Sequence, residues 1–126
     1  MIDQAFYSIL SNTTAITDIV GSEIYPQFNP QPTGIYLVYQ GIDYRRPANI
    51  DNGPSQRMAR YQIDSYGTNP VTVESLNEAV ITALNYQSNT AYGHSIQLMR
   101  VDSERSDYEP DTGYYSRTID VSVFFD

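Results

Sequence analysis

The 126-residue sequence predicts an α+β fold, a four-stranded, mostly antiparallel sheet with a long amphipathic helix and N-terminal helices packed on one face. Three observations predict it. Helical spacing of apolar residues opens the chain and recurs once, between two groups of extended segments. Residues 70–86 carry one continuous apolar stripe. The last twelve or so residues alternate with period two.

The elements follow in order. Ile2, Ala5, Phe6, Ile9 and Leu10 fall at helical spacing, so residues 3–11 read as an amphipathic helix. Asn12 or Thr13 can cap a second short helix, with Ile16, Ile19 and Val20 on its apolar side. Gly21 suits its end, because glycine takes the left-handed cap conformation without a Cβ penalty. EIYP, residues 23–26, is a short extended segment, and the proline-rich QFNPQPTG after it suits no regular element. IYLVYQGI, residues 35–42, is rich in β-branched and aromatic residues and reads as a strand buried on both faces.

DYRRPANIDNGPSQ, residues 43–56, is polar and broken by Pro47, Gly53 and Pro54; a loop that long in a small domain is usually functional or disordered. RMARYQIDSYG, residues 57–67, is a second strand, with Ala59, Tyr61, Ile63 and Ser65 on one face and Arg60, Gln62 and Asp64 on the other. Asn69 before Pro70 starts a helix, since proline at the first turn loses no hydrogen bond. Val73, Leu76, Ala79, Val80, Ala83 and Leu84 form its stripe, and its polar opposite face means that it packs one side onto the sheet. NYQSNTAYGH, residues 85–94, reads as a loop, and SIQLMRVD, residues 95–102, as a third strand. In the last strand Tyr115, Ile119, Val121, Val123 and Phe125 share one face, and Ser116, Thr118, Asp120 and Ser122 the other. EPDTG, residues 109–113, has the proline, aspartate and glycine of a hairpin connection.

The length fits one domain, residues 1–126, that buries roughly two thirds of its unfolded surface. With no cysteine, disulfides and thiolate metal sites are excluded. The N-terminus lacks the basic region of a signal peptide, and the apolar runs are too short to span a bilayer, so no membrane partner is expected. A net charge of −8 repels phosphate, which disfavours sequence-reading of DNA but not a surface that lets DNA pass. Twelve tyrosines stand beside no tryptophan, and tyrosine is enriched where proteins meet.

Enzyme chemistry finds little to stand on. The single histidine, His94, sits next to Gly93, and no Gly-x-Ser-x-Gly elbow precedes a helix. The scattered glycines form no phosphate loop. Asp102, Glu104, Asp107, Glu109 and Asp111 are five acids within ten residues, yet the sixth and twelfth places of a calcium loop counted from Asp102 hold Asp107 and Gly113 rather than glycine and glutamate. A charged hairpin tip describes them better than a metal cage. A glycosidase carboxylate pair would lack a marked sugar cleft. No catalytic residue, cofactor or metal is therefore expected. The basic groupings Arg45-Arg46 and Arg57-Arg60 either pair with local acids or meet an acidic neighbouring surface such as another copy of the chain.

Several pieces in a fixed order resemble the tail-completion, or tail-terminator, proteins of long-tailed bacteriophages and prophages. They are YSILSNTTAITDIVGSEIYP, IYLVYQGI, ARYQIDSYGTNPVTVESLNEAVITAL and DSERSDYEPDTGYYSRTIDVSVFF, which together cover most of the chain. The last is the most specific: Arg105, then Tyr108-Glu109-Pro110, Gly113 and an alternating strand. The proline-rich approach over 26–34 is longer than in that family. The resemblance implies a non-enzymatic virion protein. It would be assembled in the bacterial host cytoplasm as a ring, commonly a hexamer, on the end of the tail tube. Its partners would be its own copies, the tail tube protein and the head connector, with DNA passing through its centre. A head–tail connector (neck) protein and a small acidic binding module are the alternatives. The expected contact surfaces are the 43–56 loop and the 103–113 hairpin, with Arg45, Arg46, Arg105, Tyr108 and Glu109 as contact residues. Arg105 and Glu109 could instead pair with each other and hold the turn.

Overall fold

A computed structural model describes residues 2–28, 33–46, 57–91 and 93–125. Among the described residues, three helices and six strands follow in the order α1 (Ile2–Ser11), α2 (Thr14–Val20), β1 (Ile24–Pro26), β2 (Tyr36–Arg45), β3 (Arg57–Gly67), α3 (Pro70–Leu84), β4 (Asn89–Ala91), β5 (His94–Glu109) and β6 (Tyr114–Phe125). The strands form one sheet in the order β1-β2-β3-β6-β5-β4. Only the β1–β2 pair is parallel.

The four long strands are the four expected ones, but the sheet has six. β1 and β4 are three-residue strands, too short to show a period, and exist through pairing with β2 and β5. Residues 85–94 are thus not wholly a loop, and His94 is the first residue of β5. β2 runs on to Arg45, so the first part of the expected 43–56 loop is strand; residues 47–56 lie outside the described residues, as do 29–32 of the proline-rich approach. β5 reaches Glu109 instead of stopping at Asp102 and makes one arm of a long hairpin with β6.

The core lies between the helices and one face of the sheet. The face bearing Ala59, Tyr61, Ile63 and Ser65 is buried, as the alternation requires, and Ile119, Val121, Val123 and Phe125 continue it on β6. Phe6 of α1 stacks on Tyr61 with ring centroids 4.2 Å apart. Ile16 and Val20 of α2 and the stripe Val73, Leu76, Val80 and Leu84 of α3 complete this core side. Leu37 and Tyr39 of β2 are buried toward the helices, while Tyr36 and Val38 are buried on the other face.

Local signals fix the ends. The Asn69 side chain accepts from the Val71 N–H at 2.9 Å with Pro70 in the first turn, as expected. α3 stops at Leu84, short of residue 86, because Tyr86 takes a left-handed conformation (φ 60°) and donates its N–H to the Met99 carbonyl of β5 at 2.7 Å. Thr13 occupies the N-cap position of α2 but makes no capping bond; its hydroxyl donates to the Ile9 carbonyl at 2.7 Å. Gly113 closes the β5–β6 turn at φ 74°, where a side chain would be strained.

Candidate interaction surfaces

The hairpin arm of β5 beyond Val101 runs beside the first turns of α3, where Val71 and Glu74 line a cavity with Ser106 and Tyr108. A register shift between Val101 and Ser103 resets its alternation. Glu104, Ser106 and Tyr108 then follow the helix side, opposite Ile119, Arg117 and Tyr115, while Arg105, Asp107 and Glu109 turn to the other face. Alternation therefore separates the acids that cluster in sequence. Glu104 accepts from the Asn77 Nδ2 of α3 at 3.0 Å, tying the hairpin to the helix. Asn77 is only 1% exposed, and its Oδ1 has no hydrogen-bond partner. Tyr108 is 46% exposed and leans on Tyr115 at 4.6 Å between centroids.

The face away from the helices carries a polar lattice. Asp64, 6% exposed, accepts from the Thr118 hydroxyl and the Gln62 amide. Asp120 accepts from Ser103 at 2.8 Å and from Arg105 at 3.0 Å. Asp102 accepts from Ser122 and from Arg100. Burial would raise the Asp102 carboxyl, but the hydrogen bonds from Ser122 and Arg100 outweigh it and hold the group below its ordinary range. Each of these carboxylates thus has a hydroxyl donor. This is bonding that stiffens a sheet face. At the hairpin end of this face Tyr36 stacks on Tyr66 at 5.0 Å and tilts against Tyr114 at 6.0 Å. Burial, then the neighbouring phenols and Asp64, push Tyr36 up to about 12. Glu109 and Thr112 border this cluster.

The opposite end of the sheet holds a cleft of about 470 Å³ lined by Asp3, Tyr44, Arg45, Arg46, Arg57 and Met58, with Ile2 and Phe125. The Asp3 carboxylate, in the first turn of α1, accepts from the Tyr44 hydroxyl at 2.8 Å and from Tyr61. Burial, then the bond to Asp3, pushes Tyr44 up to about 12, and Tyr61 is pushed up further for the same reasons. Gly41 lets the Tyr44 ring lie across β2, because a Cβ there would collide with its hydroxyl. Arg57 lies over the Phe125 ring, 4.9 Å from its centroid.

The structure brings Arg45 and Arg46 together at this cleft, and Tyr108 and Glu109 together at the hairpin. Arg105 stands apart from both, in the polar lattice. Its partner is Asp120 across the hairpin and not Glu109, the pairing offered as the alternative to an intersubunit role; Arg105 and Glu109 sit on one strand. Arg45 pairs with Asp43 at 2.9 Å, with both side chains exposed. Sequence reasoning missed Asp3, Tyr44, Asp64, Asn77 and Asp120. A signal existed for Asp64 and Asp120, which alternation assigns to one face, but none for Asp3, whose partners are distant in sequence.

The sequence matches the family model described as Tail completion protein gp17 over residues 4–126. The chain belongs to this tail completion family. Membership carries a structural role in a phage-type tail and places the protein among virion-associated tail components. A chain of the solved virion of a native gene transfer agent particle shares the fold, with a TM-score of 0.74, 13% identity, and coverage of 94% of this chain and 90% of that one. A second solved chain, which bears no functional name, has a TM-score of 0.69 at 16% identity, over 99% of this chain and 93% of its own. No curated protein matches the sequence. The fold is therefore shared where few residues are, and the hairpin and cleft sit on its sheet as surface chemistry.

Proposed function

We propose that this tail completion protein assembles as a ring, a hexamer, on the end of the tail tube, stops tube growth and joins the tail to the head connector. The observation that carries this reading is the pair of unlike, open sheet edges. β1 covers β2 only at Leu37–Tyr39, and β4 with residues 85–87 covers β5 only as far as Val101. Among the described residues no strand pairs with the outer edge of 40–45 or of 102–109. Different patches on one chain support heterologous contacts, which close into rings when the rotation fits. The contact residues are Arg45, Arg46, Arg105, Tyr108 and Glu109. The net charge of −8 suits a ring through which DNA passes without being held.

Light scattering of the purified protein, alone and with Tyr108→Ala plus Arg105→Ala, tests the ring. The Arg105–Asp120 pair is exposed on the arginine side, so its loss leaves the monomer folded. Weakened oligomers with unchanged circular dichroism support the reading, and unchanged oligomers count against it. Particles made without the protein should show tails of uncontrolled length or tails without heads. Tails of normal length, with the protein found on the portal side, would favour a connector.

A further inference from the structure

Resting on that ring reading, we propose that the acidic tip of the hairpin on one copy docks in the arginine-lined cleft of the next copy. Asp107, Glu109 and Asp111 lie within five residues at the tip, with no cation among them. All three are exposed, and no salt bridge reaches them among the described residues. The cleft gathers three of the chain's seven cations, all seven of which are arginines. Arg46 is exposed and has no carboxylate partner among the described residues, and Arg45 has only its solvent-exposed neighbour Asp43. In a protein of net charge −8 the cleft is thus the place where a strongly acidic segment meets attraction.

The two surfaces cannot meet within one copy. Tyr108 pairs with Tyr115 at one end of β6, and Arg57 pairs with Phe125 at the other end, through β3. The ten steps along β6 from Tyr115 to Phe125 span about 33 Å of extended strand. Tip and cleft are complementary in charge, different in kind and at opposite ends of a rigid element. A contact between them is therefore head-to-tail, and it repeats from copy to copy. The exposed ring of Tyr108 lies beside the tip, and the apolar groups of Met58 and Phe125 line the cleft, so the same docking covers apolar surface on both sides. The contact would weaken with added salt.

Charge reversal tests this directly. Four proteins are compared by light scattering over a concentration series at low salt: wild type, R45E/R46E, E109R/D111R and the variant with all four changes. Each two-site variant should raise the concentration of half-assembly by about tenfold or more, as loss of close interfacial charge pairs does. The four-site variant, in which the exchanged positions again oppose acid to arginine while Asp107 and Arg57 are unchanged, should bring the midpoint back toward that of wild type. An equimolar mixture of the two-site variants should recover assembly in the same way. Circular dichroism checks that each is folded, and R45Q/R46Q and E109Q/D111N, milder changes, should shift the midpoint in the same direction by less. A wild type that assembles while both reversals leave its midpoint unmoved overturns the docking and leaves the ring standing. Reversals that weaken assembly without recovery in the four-site variant or the mixture also overturn it. A wild type that stays monomeric throughout overturns the ring itself and the docking with it.

Discussion

The hydroxyl of Tyr61, in the second long strand, donates to the carboxylate of Asp3, in the first helical turn, across 58 residues of sequence. This bond fastens α1 to the middle of the sheet at the point where Phe6 stacks on the same tyrosine ring. Asp3→Ala should leave the Tyr61 hydroxyl, on a residue only 1% exposed, without its acceptor. The expected cost is about 1–3 kcal/mol. Urea melts of the two proteins at neutral pH would measure it, and an unchanged midpoint would show that water replaces the carboxylate.

Tyrosines at the two ends of the sheet predict an alkaline limit. The phenols of Tyr36 and Tyr44 are raised from 10.0 to about 12 in the folded state. Their neutral forms are favoured by folding, so their contribution is complete below pH 10 and is lost as pH rises from 10 through 12. Thermal melts should be flat across the neutral range and fall above pH 10. In Tyr44→Phe the fall should be shallower.

Gly41 and Tyr44 should be energetically coupled. Gly41→Ala places a methyl against the Tyr44 ring, which must then leave Asp3. The expected loss is about 0.5–1.5 kcal/mol, the net worth of the bond to Asp3, because the displaced atoms are the tip of a half-exposed side chain. In a Tyr44→Ala background the same glycine substitution should cost far less, and a double-mutant cycle by chemical denaturation reads the difference. Additive effects would mean that the ring moves aside freely.

On the sheet face away from the helices, Thr118→Val removes a hydroxyl donor from the nearly buried Asp64 while keeping the side chain's shape. The carboxylate keeps only the Gln62 amide, and the expected cost is about 1–3 kcal/mol. Thr14→Val, at an exposed threonine whose hydroxyl makes no hydrogen bond among the described residues, serves as the control and should leave the denaturation midpoint in place.

Asn69→Ala should cost about 1 kcal/mol by leaving the Val71 N–H of α3 without its cap. A lowered melting temperature with unchanged oligomer size is expected, because the cap lies in neither the cleft nor the hairpin tip.

The sequence by itself determined the elements whose signals lie within a few residues. Period two placed Ala59, Tyr61 and Ile63 on the buried face, spacing three and four set the α3 stripe, Asn69-Pro70 began that helix, and Pro110 to Gly113 made the turn. The proposed contact residues were legible only as types: arginines in a cation-poor chain and acids at a turn. Tertiary structure alone decided the rest. β1 and β4 are strands only because β2 and β5 lie beside them. Arg105 chose Asp120 over Glu109 because strand register sets which charges face each other. The cleft forms only where the N-terminal turn, the end of β2 and the end of β6 converge. Local pattern encodes backbone conformation and burial, whereas partners distant along the chain are fixed by register and packing, which no short window of sequence contains.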